Sequence, residues 1–117
     1  GGQMAPTTLL GQKSSTTPEG REAISHGYPL PVCELLSALP GVAYLARTTV
    51  TSPAHIRTAK RAIKRAFEAQ IDAKGFSLVE ILSTCPINWH LDPMQALNFV
   101  VTQMTAQFPL GVFRDFA

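Results

Sequence analysis

The deciding stretch of this sequence is Phe76-Ser77-Leu78-Val79-Glu80-Ile81-Leu82-Ser83-Thr84-Cys85-Pro86-Ile87-Asn88-Trp89. Its first seven residues are mostly apolar, too few to span a membrane, and rich in Val, Ile and Leu, which predicts a buried strand. Pro86 cannot donate to a sheet ladder and biases Cys85 towards an extended conformation, so the thiol should lie where the strand ends. In open α/β sheets, ligands bind at this carboxyl edge.

Two interpretations of Cys85 are open at this point. An isolated cysteine is commonly a small buried hydrophobe. It can also be a thiolate ligand to a metal ion or cluster, but one cysteine cannot complete such a site, because iron–sulfur clusters usually need four. If Cys85 is a ligand, we expect its companions to lie outside this chain.

The composition fits one ordinary globular domain: 117 residues, 45% apolar and 15% charged. A net charge of +2 is too small to indicate nucleic acid as an obligatory partner. There are two cysteines and no CxxC, and the stretch from Met4 to Leu10 has neither the basic start nor the long apolar core of a leader. We therefore expect a cytoplasmic protein without a membrane partner.

Two regions are predicted. Residues 1–27 are crowded with Gly, Pro, Ser and Thr and have no helical or strand period, which predicts a long loop and linker. Such loops are usually tethers, although their backbone N–H groups can also hold an anionic ligand. Residues 28–117 form the predicted α/β part, which begins with a helix from Val32 to Leu39 that buries Cys33 as core packing.

The remaining elements alternate between strands and helices. Gly41 to Arg47 predicts a strand, and Ser52 and Pro53 begin a helix that should run to about Lys74. After the Phe76 strand, Asp92 caps a last helix. The order helix, strand, helix, strand, helix predicts an α/β fold with parallel strands, to which polypeptide outside the chain adds further strands. In the middle helix an apolar stripe should pack on the sheet: Ile56, Ala59, Ile63, Ala66, Phe67 and Ile71.

The same helix carries five cations within about two and a half turns. They form either a solvated face or a docking surface for an acidic protein or nucleic acid. No aromatic residues interleave with them, which disfavours single-stranded nucleic acid. The carboxylates and histidines form no pattern typical of general acid/base catalysis. His90 lies near Cys85 in the sequence, but no third ligand follows at the spacing of a zinc site. We refer to these cations below as the basic face: Arg57, Lys60, Arg61, Lys64 and Arg65.

Three blocks resemble the C-terminal portion of the thiamine-diphosphate-binding β subunit of 2-oxoacid:ferredoxin oxidoreductases. Gly1-Gly2-Gln3-Met4-Ala5-Pro6-Thr7-Thr8 is similar to the end of that family's cofactor loop, where Gly-Gly-Gln-x-Ser/Ala-Pro-Thr follows Asn-Asn-x-x-Tyr-Gly-Met-Thr. Phe76 to Trp89 is similar to the family's strand and cysteine-proline turn. Tyr28 to Gly41, with Pro109-Leu110-Gly111-Val112-Phe113, most resembles members assigned to branched-chain 2-oxoacids such as 2-oxoisovalerate.

The resemblance implies a thiamine-diphosphate-binding fold, with thiamine diphosphate, Mg²⁺ and a [4Fe–4S] cluster in the complete enzyme. The implied activity is oxidative decarboxylation of a 2-oxoacid to an acyl-CoA, with electrons passed to ferredoxin and other subunits as partners. The implied cofactor-binding residues are Gly1, Gly2, Gln3 and Thr7, and Cys85 matches the fourth cluster cysteine. The family's other three cluster cysteines, its Gly-Asp-Gly and its Asn-Asn are absent here, so we expect a fragment of a longer subunit that is inactive alone.

One rival from another class is a small stand-alone interaction domain. It would use the basic face to bind an acidic protein or nucleic acid.

Overall fold

The computed structural model describes residues 4–117, which fall into two units. The first, here the Cys85 unit, combines the described residues of Gly1–Pro31 with Thr84–Gln107. The second, here the sheet unit, combines Val32–Ser83 with Phe108–Ala117. Within residues 4–117, no helix is long and apolar enough to cross a membrane.

The sheet unit is built on three strands in the order β2, β1, β3. Strand β1 (Val42–Thr49) pairs in parallel with β2 (Phe76–Leu82), which places Arg47 opposite Glu80. The predicted α/β fold with parallel strands is therefore confirmed. Strand β3 (Gly111–Arg114) pairs antiparallel with β1 and was not predicted, because four residues that begin with a glycine give too short a pattern.

The interior strand is β1, and the expectation that β2 is buried is wrong for the described chain. All eight residues of β1 are buried. In β2 only Leu82 is buried, and Phe76 is 50% exposed, because β2 lies at the edge of the sheet. An apolar run predicts a strand, but it does not show whether that strand pairs with other strands along both of its edges or along one only.

Helix α3 (Pro53–Ile71) begins as predicted: the Ser52 hydroxyl accepts a hydrogen bond from the backbone N–H of His55 at 3.2 Å. The helix ends at Ile71, three residues before the predicted end at about Lys74. Gly75 is required where the chain enters β2, since it has a φ of +132° and a Cβ there would collide with the carbonyl oxygen of Gly41.

The apolar stripe of α3 packs on the sheet only in part, which corrects the prediction. Its small residues face the strands: Ala59, Ala62 and Ala69 are buried, and Ala66 packs against the same cluster. The larger residues point away from this contact. They remain 38% to 81% exposed: Ile56, Ile63, Phe67 and Ile71.

Helix α2 (Val32–Ser37) packs against β1 and buries Cys33 completely. The prediction that Cys33 is core packing is confirmed.

The Cys85 unit consists of short helices and an ordered amino-terminal segment. These helices are α1 (Ala23–His26), α4 (Pro86–Trp89), α5 (Pro93–Phe99) and α6 (Thr105–Gln107), with a π-helical turn at Val100–Met104 between the last two. The predicted cap of the last helical stretch is confirmed. The Asp92 side chain accepts a hydrogen bond from the Gln95 N–H at 2.8 Å, and the Gln95 side-chain oxygen accepts one from the Asp92 N–H at 3.2 Å.

Candidate cofactor and cluster site

Arg21 organises the amino-terminal segment of the Cys85 unit. It is only 6% exposed, and its guanidinium donates hydrogen bonds to backbone carbonyls at 2.8 to 3.4 Å. A buried guanidinium needs acceptors for its donors, and here they come from two separate stretches of backbone. The segment is therefore folded around one side chain instead of being a free tether. The accepting carbonyls belong to Ala5, Pro6, Thr8, His26, Gly27 and Tyr28.

Thr7 lies in one of the turns that Arg21 holds. The Thr8 N–H donates to the Ala5 carbonyl at 3.1 Å across this turn, and Thr7 is half-buried. Gly1, Gly2 and Gln3, the other predicted cofactor-binding residues, lie outside the described residues.

The amino-terminal segment contacts the helix that follows Cys85. The Ser15 N–H donates to the Asn88 carbonyl at 2.8 Å, and the Ser15 hydroxyl lies 3.4 Å from His90 Nε2. The turn that presents Ser15 is closed by a 2.8 Å bond between the buried hydroxyls of Ser14 and Thr17. The segment that carries Thr7 and the helix that follows Cys85 therefore belong to one unit and contact each other.

Cys85 is the N-cap residue of α4 and its side chain is exposed. Its carbonyl accepts from the Trp89 N–H at 3.0 Å, and the Trp89 ring packs on Phe99 of α5 with ring centroids 5.3 Å apart. These contacts anchor the short helix. An exposed thiol does not fit the small-buried-hydrophobe interpretation, whereas a ligand has to be accessible in this way.

Cys85 fits an iron–sulfur cluster as one ligand among several. Across residues 4–117, no three His, Cys, Asp or Glu residues are grouped so that they could hold a metal ion. A self-contained zinc or iron site is thus not formed by the described part of the chain. The donor set offers one accessible thiolate, which suits a cluster whose other three ligands come from other polypeptide.

The sheet unit contains a buried ionic network centred on Arg47. The Arg47 side chain is 0% exposed; its Nε donates to Glu80 at 2.6 Å and its terminal nitrogens donate to both carboxylate oxygens of Glu34 at 2.6 and 2.9 Å. Its guanidinium carbon lies 5.2 and 5.0 Å from the ring centroids of Phe108 and Phe113. The network joins α2, β1, β2 and the segment around β3, so it stabilises the packing of these elements on one another.

The contacts within this network shift the pKa values of Glu34 and Cys33. Hydrogen bonding to Arg47 holds the pKa of Glu34 below its usual range. Burial, followed by the charge of Glu80, raises the pKa of the Cys33 thiol to about 12. Cys33 therefore stays a neutral thiol at physiological pH and is unsuited to bind metal or attack a substrate.

The basic face is not uniform. Arg65 is used within the sheet unit, since it donates to Asp115 at 2.9 Å and to the Phe116 carbonyl at 2.7 Å and stacks on the Phe116 ring at 3.7 Å. Arg61 donates to the Thr58 hydroxyl at 3.0 Å. Arg57, Lys60 and Lys64 are exposed, and the nearest carboxylate to Lys64 is Glu68, at 4.0 Å.

Comparison with known proteins gives relatives over nearly the whole chain. Two ketoisovalerate oxidoreductase subunits VorA, from Methanothermobacter marburgensis and Methanothermobacter thermautotrophicus, are each 48% identical over 115 residues, which is 98% of this chain and 24% of the relative. The chain belongs to the 2-oxoacid:ferredoxin oxidoreductase family. The 2-oxoglutarate synthase subunit KorB of Archaeoglobus fulgidus is 36% identical over 98 residues, or 84% of this chain and 32% of that relative. No family profile matches the chain, and no solved structure does.

The family assignment confirms the resemblance stated from the sequence, and the stand-alone interaction domain is not favoured, because these relatives are named as subunits of oxidoreductases and synthases. The chain spans about a quarter of the length of the VorA relatives that it matches.

Sequence reasoning missed two arginines, Arg21 within the Cys85 unit and Arg47 within the sheet unit, each of which is buried among its hydrogen-bond partners in its own unit. Arg21 gives no signal in a Gly, Pro, Ser and Thr-rich segment, because its partners are backbone carbonyls. The Arg47 network had a usable signal. Glu80 interrupts an apolar strand and Arg47 ends the other predicted strand, so the parallel pairing already brings opposite charges together.

Proposed function

We propose that this chain is part of the catalytic β subunit of a cytoplasmic 2-oxoacid:ferredoxin oxidoreductase. The complete enzyme would convert a 2-oxoacid to an acyl-CoA by oxidative decarboxylation and pass the electrons to ferredoxin. The observation that carries the proposal is the 48% identity to VorA across 98% of the chain. The exposed thiol of Cys85, in the same unit as the segment that carries Thr7, supports it.

The proposed substrate is 2-oxoisovalerate. Two relatives at 48% identity are named for ketoisovalerate, whereas the relatives named for 2-oxoglutarate are 36% and 34% identical over shorter spans. The difference in identity supports the branched-chain assignment.

Cys85 is proposed as one thiolate ligand of a [4Fe–4S] cluster, which would supply one-electron transfer when bound. This chain's own contribution is to present the thiol: the Pro86 turn and the Trp89 to Phe99 contact hold α4. Gly1, Gly2, Gln3 and Thr7 are proposed to border thiamine diphosphate, whose Mg²⁺ would be held by residues outside this chain. Arg21 would keep the turn of Thr7 in place through its bonds to the Pro6 and Thr8 carbonyls, at 3.0 and 2.8 Å.

Substitution of Cys85 by alanine in the complete enzyme tests the cluster role. We expect Cys85→Ala to lower iron content and ferredoxin reduction while thiamine diphosphate still binds, because Cys85 is not among the residues that we propose to border the diphosphate. Cys33→Ala is the matched control, since Cys33 is buried and neutral. Equal iron content and turnover in the two variants would refute the ligand role.

Ferredoxin is proposed to dock on the exposed part of the basic face, because ferredoxins are typically acidic and Arg57, Lys60 and Lys64 face solvent. Charge reversal at Lys60 and Lys64 should slow ferredoxin reduction at low ionic strength and have little effect at high salt, since screening removes surface attraction. Lys13→Glu, an exposed change in the other unit, is the control. A loss of rate that is the same at both salt concentrations would argue against docking here.

A further inference from the structure

We propose that the thiamine diphosphate site and the cluster site stabilise each other through the amino-terminal segment, in which Ser15 is the positioning residue for the helix that follows Cys85. An occupied thiamine site would hold this helix in place and slow the loss of iron, and a bound cluster would strengthen cofactor binding. This inference rests on the proposed function, because it takes Thr7 to border the cofactor and Cys85 to bind iron.

The first observation is the contact between Ser15 and α4. The Ser15 N–H donates to the Asn88 carbonyl at 2.8 Å, and the Ser15 hydroxyl lies 3.4 Å from Nε2 of His90. Asn88 is in the last turn of α4, where carbonyls lack an intrahelical donor. A helix of four residues is not stable without tertiary contacts. The position of α4, and with it that of Cys85, therefore depends in part on Ser15.

The second observation is the turn that presents Ser15. Ser14 and Thr17 close this turn with backbone bonds of 3.2 and 3.1 Å and with a 2.8 Å bond between their hydroxyls. These two residues are 1% and 2% exposed. Separating a buried hydroxyl pair is costly, because each group loses its partner without gaining water. The turn therefore holds the Ser15 N–H in a defined position.

The third observation is a hydrogen-bond path from this turn to Thr7. The Gln12 carbonyl accepts from both the Thr17 hydroxyl and the Arg21 N–H, at 3.0 and 3.2 Å. The Arg21 guanidinium donates to the carbonyls on either side of Thr7, at 3.0 and 2.8 Å. All of these groups lie in the Cys85 unit. A displacement of the Thr7 turn can thus be transmitted to Ser15 through directly bonded groups.

The coupling follows from linkage between the two sites. The cofactor binds the segment when the Thr7 turn is formed, so its binding shifts the segment towards that arrangement. The same arrangement supplies the Ser15 N–H to α4. Two ligands that favour one arrangement strengthen each other's binding, and this effect is reciprocal. Couplings of this kind typically change affinity by about 5- to 150-fold.

Iron release from the complete enzyme tests the proposal with a readout other than turnover. The enzyme is mixed with an excess of an iron-selective chelator, with and without saturating thiamine diphosphate and Mg²⁺, and the absorbance of the iron chelate is followed. We expect the cofactor to slow iron loss at least about fivefold. Removal of iron should also raise the Kd for thiamine diphosphate, measured by calorimetry. Equal rates of iron loss with and without the cofactor would overturn the proposal.

Two substitutions at Thr17 distinguish the hydrogen-bond path from a direct effect of the cofactor on the cluster. Thr17→Val keeps the shape of the side chain but removes its bonds to Ser14 and Gln12, whereas Thr17→Ser keeps the hydroxyl. We expect Thr17→Val to lose most of the protection against iron loss and Thr17→Ser to retain it. Ser25→Ala, which removes an exposed hydroxyl elsewhere in the same unit, is the control. Full protection in Thr17→Val would overturn the role of this path.

The outcomes separate this inference from the proposed function. A complete enzyme that lacks iron or does not bind thiamine diphosphate would contradict the proposed function. An enzyme that binds both, but loses iron at the same rate whether or not the cofactor is present, would reject this inference alone. The measurements on the unsubstituted enzyme decide this even if Thr17→Val fails to fold.

Discussion

Replacing Arg47 by methionine should be the most destabilising single change in the ionic network. The substitution keeps a side chain of similar length but removes every bond from the guanidinium to Glu34, Glu80 and the Pro109 carbonyl. The main cost comes from Glu80, whose side chain is 15% exposed and would be left as an uncompensated charge. Glu34 is 38% exposed and can be solvated, so its share is small.

The expected loss is about 3 to 5 kcal/mol in the free energy of unfolding, the range for removal of one partner from a buried ion pair. For a chain of this size that corresponds to roughly 12 to 20 °C in Tm, at about 4 °C per kcal/mol. Urea unfolding of the 117-residue chain, followed by far-UV circular dichroism, measures it. The total stability of small domains is about 5 to 15 kcal/mol, so Arg47→Met should bring the sheet unit close to unfolding at room temperature.

The double variant Arg47→Met/Glu80→Leu shows how much of the lost stability comes from leaving Glu80 without a partner and how much comes from lost packing. It leaves no unpaired charge between β1 and β2, and well-packed apolar replacements of buried pairs are often neutral. We expect most of the stability to return. A single variant that costs less than about 1 kcal/mol, or a double variant as unstable as the single one, would refute the view that an unpaired Glu80 dominates the cost.

Two further predictions concern titration and thiol chemistry. The lowered pKa of Glu34 means that its stabilisation is present above the unfolded-state pKa and is lost as pH falls through the folded-state pKa. Glu34→Gln should therefore lose less stability than the parent between pH 7 and pH 3 in urea titrations, and parallel losses would contradict the pairing with Arg47. In the native 117-residue chain, iodoacetamide should label exposed Cys85 and leave buried Cys33 unmodified until urea is added. Mass spectrometry distinguishes the two sites, and labelling of Cys33 before urea is added would contradict the conclusion that Cys33 is buried.

The features predictable from the sequence were the local ones. Ser52 and Asp92 are helix caps because a hydroxyl or carboxylate at that position bonds N–H groups three residues away, a rule that needs no tertiary information. Pro86 likewise begins α4, because a proline in the first turn of a helix loses no helical hydrogen bond. The family resemblance came from ordered blocks of sequence, and it is the source of the proposal that Cys85 is a cluster ligand, which one cysteine could not indicate alone.

The features that sequence did not predict depend on distant partners. Strand β3 exists because β1 offers a free edge to four residues near the end of the chain. The apolar side of α3 could not be divided into sheet-facing alanines and exposed isoleucines without knowing that β2 is an edge. Arg21 has partners from 5 to 16 residues away in sequence, all of them backbone carbonyls, and no side-chain pattern records such contacts.

The central claim is that Cys85 binds iron in the complete enzyme, and its reactivity before and after iron removal tests this most directly. The account predicts that Cys85 resists alkylation in the iron-loaded enzyme and becomes reactive when a chelator strips the iron, because a ligated thiolate is unavailable to the reagent. Alkylation of Cys85 at full iron content, with no loss of iron, would contradict it.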